Sequence, residues 1–137
     1  MPHWAISILA FVALIAGMSI FLQIRTRQIA ASRAGETFEM FSASFCREEV
    51  SLEVLWAVYE SFESRNGKPF PVRADDVISD IYRMSDEDLD NTVLQVLAEC
   101  NRKCPSVDQI ESMSPILTIR DLMHFVAKCD YTGENAQ

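Results

Sequence analysis

Residues 83–100 read RMSDEDLDNTVLQVLAEC, and the reading of this stretch decides what the chain builds. Ser85 is followed three residues later by Asp88, and apolar periodicity starts at Leu89. A serine hydroxyl at a helix start accepts a hydrogen bond from one of the unpaired N–H groups of the first turn, and a polar side chain at the third helical position can return one. Asp86, Glu87 and Asp88 would then lie where the helix dipole favours negative charge. Leu89, Val93, Val96 and Leu97 follow at helical spacing, and Cys100 continues the stripe. The stretch therefore predicts an amphipathic helix that begins at Ser85 and is closed by Cys104-Pro105.

Outward from this helix the same signals repeat. Ser106-x-x-Gln109 is a second cap signature, before a short helix holding Ile110 and Met113; Pro115 breaks the chain after it. Thr118-x-x-Asp121 caps a last helix with Ile119, Leu122, Val126 and Cys129 on one face. On the other side, Val50, Val54, Val58 and Phe62 recur every four residues, with Leu55 and Tyr59 widening the stripe. That predicts a helix from about Glu48 to Arg65, ended by Asn66-Gly67. Pro69 and Pro71 make residues 67–76, GKPFPVRADD, a loop, and Asp75 or Asp76 can cap a short turn holding Val77, Ile78 and Ile81. No segment alternates convincingly as a strand, and the expected fold class is all-α, a four-helix bundle.

The N-terminal segment has a different character. Ala5 to Ile24 carries no charge, and only Ser7, Ser19 and Gln23 interrupt the apolar run. Twenty helical residues rise about 30 Å, the thickness of a hydrocarbon core. Trp4 marks one end as an interfacial aromatic would, and Arg25 and Arg27 mark the other. A cleaved signal peptide has its positive charge before the apolar core, the reverse of the order here. The segment is therefore expected to be a single-pass transmembrane anchor, with the C-terminal domain cytoplasmic by the positive-inside rule. Ala13 and Gly17 have the small-x-x-x-small spacing that packs membrane helices together. The expected organisation is an anchor over 1–27, a juxtamembrane helical linker over 28–46, an acidic bundle over 47–130 and a flexible tail over 131–137. The aromatic segment Phe38–Phe45 could lie on lipid or pack on the domain.

Charge excludes one class of partner. All 20 acidic residues follow Gly35, against 9 of the 12 basic ones, a surplus of 11 negative charges on that part. Such a domain repels nucleic-acid phosphates. A basic surface on a cytosolic or membrane protein is the complementary partner.

Catalytic and metal chemistry find little footing. The histidines are His3, at the membrane end, and His124, between Met123 and Phe125. The acids of 86–90 lack the turn glycine and closing glutamate of a calcium loop. Cys100 and Cys104, one helical turn apart, with His124 and Cys129 do not make the closely spaced pairs of a zinc site; buried thiols are the simpler reading. No enzyme, cofactor or metal is expected.

The order of elements, together with DDVISDIYRMSDEDLDNTVLQVL and the closing SPILTIRDLMHFV, resembles the acyl carrier proteins from about Val50 to Cys129. In that family an Asp-Ser-Leu at the start of the second helix holds phosphopantetheine on its serine. Aligning on residues 88–90 puts Asp88 at the serine position; aligning on Asp80-Ile81 puts Ser85 there, between Met84 and Asp86. Neither register reproduces the motif, so the resemblance implies a carrier-like domain without the working attachment serine. The acid cluster on an anchored domain with no catalytic set points to docking on a basic surface through the start of the second helix, at Asp86, Glu87, Asp88 and Asp90. Two rival readings go with it: a true carrier modified on Ser85, and a structural accessory subunit packed through Ala13 and Gly17.

Overall fold

The computed structural model describes residues 2–65 and 70–133. Helices are α1 (His3–Ser32), α2 (Phe38–Ala43), α3 (Leu52–Glu63), α4 (Ile78–Ile81), α5 (Asp86–Glu99), α6 (Val107–Glu111) and α7 (Ile119–Lys128). Among the described residues there are no strands, only two isolated bridges, Val77 with Thr118 and Arg102 with Tyr131. The chain divides into two compact units, Met1–Ala34 and Gly35–Gln137.

The first unit is α1. It is apolar on all sides and none of its residues is buried. Its 30 residues make it long and apolar enough to cross a membrane. It runs past Arg25 and Arg27 to Ser32, and the chain turns at Gly35, whose φ of 89° is in the left-handed region.

The second unit is built on α3, which packs against α2, α5 and α7, while α5 and α7 also pack together. The stripe read from the sequence is the buried one: Val54, Leu55 and Val58 are fully enclosed, and Phe62 and Val50 nearly so. The helix starts four residues later than Glu48, however. Residues 46–50 form a turn in which the N–H groups of Glu49 and Val50 donate to the Cys46 carbonyl. Ser51 then caps the helix, its hydroxyl accepting from the Val54 N–H. Val50 and Leu55 thus occupy the two positions of a hydrophobic staple, and both are buried.

The aromatic segment packs on the domain. Phe38 stacks on Trp56 with ring centres 4.1 Å apart, and Phe41 meets Tyr59 at 5.2 Å and Phe45 at 5.2 Å. The compact unit accordingly begins at Gly35, inside the stretch that the sequence assigned to the 28–46 linker.

The loop before α4 is less passive than its prolines suggest; residues 66–69, with Asn66-Gly67 and Pro69, lie outside the described residues. Phe70, Val72, Ala74 and Ile78 are buried while Arg73, Asp75 and Val77 are exposed, so the strap lays alternate side chains on the core. Neither Asp75 nor Asp76 caps α4: Val77 is its N-cap and makes no side-chain bond. The buried Asp76 carboxylate instead accepts from the Arg73 N–H at 3.0 Å and the Tyr82 hydroxyl at 2.8 Å. Backbone bonds tie the strap to the start of α7: Ile78 N–H to Leu117 O, Ile119 N–H to Asp76 O and Arg120 N–H to Ala74 O.

Core truncation should reflect this arrangement. Leu122 is fully buried and Leu117 is 62 % exposed. Leu122→Ala should lower unfolding free energy by about 2–5 kcal/mol, and Leu117→Ala should change it by under about 0.5 kcal/mol. Urea unfolding of the detergent-solubilised chain measures both; equal losses would contradict the packing described.

Candidate functional site

The start of α5 forms as its sequence demands. The Ser85 hydroxyl accepts from the Asp88 N–H at 3.2 Å, and the Asp88 carboxylate accepts from the Ser85 N–H at 3.3 Å, closing a reciprocal capping box. The hydrogen bonds from Ser85 and the nearby Arg65 guanidinium hold the Asp88 carboxyl below its usual range. Asp88 is therefore committed to the helix start, while Asp86, Glu87 and Asp90 project from the exposed side. Of the four acids named from the sequence, Asp86 and Asp90 come together, one helical turn apart, on the rim of a groove.

That groove is the feature the sequence reading did not isolate. It is a cavity of about 540 Å³ between α5, α6 and α7, open on one side. Its apolar walls include Leu89 and Leu94 of α5, Ile110 of α6, Met113 and Ile116 of the following connection and Phe125 of α7. Leu94 is 50 % exposed and Ile110 is 49 % exposed. Among the described residues, no lysine or arginine lines it. The signal lay in the spacing: 86, 89, 90 and 94 flank the buried Val93 and Leu97 on α5, so the groove face shares those two residues with the core stripe that continues through Val96 and Cys100. Helix α6 buries none of its residues, and Ile110 faces the groove.

The remaining caps match their signatures. Ser106 with Gln109 and Thr118 with Asp121 both close capping boxes. Burial raises the Asp121 carboxyl, but hydrogen bonds from Thr118 and Leu117 outweigh it and leave the group below the usual carboxylate value.

The four cysteines are free thiols and do not share a helix face. Helix α5 ends at Glu99, and Asn101 takes a φ of 51°, so Cys104 lies beyond the helix that the i, i+4 reading required. Cys100 and Cys129 are buried, whereas Cys46 and Cys104 are exposed. Burial, with Glu53 nearby, pushes the Cys100 thiol up to about 11. Among the described residues no group of three or more His, Cys, Asp or Glu side chains could hold a metal. His124 sits half-buried on α7 near Asp121. Ala13 and Gly17 lie on one face of α1; a Cβ built on Gly17 meets nothing within 4 Å.

No protein-family model, no curated protein and no solved structure matches the chain.

Two measurements check this geometry. An aspartate in an unfolded chain titrates near 3.9. The folded Asp121 carboxyl lies lower, so its contribution is complete above that value and disappears as pH falls through the folded one. Asp121→Asn should therefore weaken the loss of stability below about pH 4, read from acid unfolding by circular dichroism; an unchanged profile would contradict the assignment. Alkylation at pH 8 should modify Cys46 and Cys104 rapidly, and Cys100 and Cys129 only on unfolding. Rapid modification of all four would show the burial to be wrong.

Proposed function

We propose that this is a membrane-anchored, non-catalytic interaction module. Its apolar N-terminal helix crosses the membrane once and holds an acidic, carrier-like helical domain on the cytoplasmic side. The domain docks through the start of α5 on a basic surface of another cytosolic or membrane protein. The observation that carries this reading is the exposure of Asp86, Glu87 and Asp90 beside an apolar groove, on a domain with a surplus of 11 negative charges. Charge of one sign on one face steers encounter with a partner of opposite sign and selects against like-charged ones. Asp88 contributes to the same field but also closes the α5 capping box, so the docking role rests on its three neighbours. The membrane orientation rests on Arg25 and Arg27 following the apolar run.

Co-purification from the native membrane tests the proposal. Reversal of Asp86, Glu87 and Asp90 to lysine, with Asp88 left in its capping box, should abolish capture of the partner, and about 0.5 M salt should weaken capture by the unaltered chain. Retention of every partner by the reversed variant would sink the proposal. Loss of the partner only on Ala13→Leu with Gly17→Leu would assign the chain instead to a complex held through its membrane helix. Intact mass should equal that of the unmodified chain; a phosphopantetheine-sized increment lost in Ser85→Ala would make it a carrier.

A further inference from the structure

We infer that the groove between α5, α6 and α7 is a seat for a basic amphipathic helix of the partner protein. The inference rests on the docking role proposed above and names the ligand chemistry of that site. Three observations meet there. The floor is apolar, with Leu94 and Ile110 half exposed and Leu89 and Phe125 partly exposed along it. The rim carries Asp86 and Asp90 and, among the described residues, no lysine or arginine. The α5 wall runs from Asp86 to Leu97, which is roughly 16 Å of helix. About three turns of a second helix fit along it, enough for anchors at i, i+3, i+4 and i+7.

The charge placement decides between occupants. A helix with an apolar stripe flanked by Lys or Arg places its anchors on Leu94 and Ile110 and its cations against Asp86 and Asp90. The apolar floor supplies the binding energy, because burial drives association, and the rim fixes direction and excludes acidic helices. A fatty acyl chain would satisfy the floor but bring nothing for the rim, and a lipid carboxylate or phosphate would be repelled by it.

The test uses the full chain in phosphatidylcholine nanodiscs, with empty nanodiscs as the blank. The probe is a fluorescent synthetic helix of about 14 residues with leucines at i, i+3, i+4 and i+7 and lysines on the flanks; a second peptide carries glutamates in place of the lysines. The lysine peptide should bind saturably by fluorescence anisotropy and the glutamate peptide should not. Leu94→Gln and Ile110→Gln, both at half-exposed positions, should each weaken binding by about tenfold or more. Leu117→Gln, exposed but outside the groove, should leave it unchanged. Equal binding of the two peptides, or displacement of the lysine peptide by dodecanoate at equal concentration, would overturn the inference. The native partner separates docking from the helix seat. If it is lost on reversal of the acids but retained by Leu94→Gln with Ile110→Gln, docking stands and the helix seat falls. If it survives the reversal as well, both fall.

Discussion

Burial of one face of α3 is the constraint on which the domain depends. Val54, Leu55 and Val58 have no exposed surface, and α2, α5 and α7 all converge on this helix. The aromatic rings of Phe38 and Phe41 cover one side of it, and the Val96 and Leu122 faces of α5 and α7 are enclosed with it. The extended strap from Phe70 to Ile78 adds further apolar side chains, with the Tyr82 ring edge-on to Phe62 at 4.9 Å. Once α3 is enclosed in this way, the acidic start of α5 is left outside. The exposed charge there is a result of core geometry as much as of composition.

Much of this was legible in the sequence, for local reasons. Ser85, Ser106 and Thr118 each stand three residues before a polar side chain that can answer them, and each closes a capping box. The start of α3 was not legible, because Ser51 is followed three residues later by Val54, which cannot return a hydrogen bond. Asp76 was misread as a cap because its true partners, the Arg73 N–H and the Tyr82 hydroxyl, depend on how the strap lies on the core. The alternation that lays the strap down was hidden by prolines that read as loop. The end of α5 did carry a signal: Asn101 is a residue type that tolerates the left-handed turn it adopts, and that turn removes Cys104 from the helix. The groove required two stripes to be seen on one helix, and its other walls come from elements with no local relation to α5.

Two apolar stripes on α5 divide its labour. One runs through Val96 and Cys100 into the core and secures the fold. The other, through Leu89 and Leu94, lines the groove and meets the first at the buried Val93 and Leu97. In the proposed function, the first is indifferent to partners, and the second can change with them while the fold is kept. In the same proposal the long apolar helix confines encounters to a membrane surface, where a weak interaction is enough for a partner confined there too.

The exposure of α6 has a consequence for motion. Its five residues are too few to sustain a helix alone, it buries no side chain, and its order rests on the Ser106–Gln109 capping box. The start of α7, in contrast, is stitched to the strap by three backbone bonds. Opening of α6 therefore uncovers no fully buried side chain of its own, which puts its expected free energy near the bottom of the range for this domain, far below that of global unfolding. One wall of the groove is thus its least anchored part, where amide protons should exchange faster than those of α3, α5 and α7 and slow down once the proposed partner helix is seated.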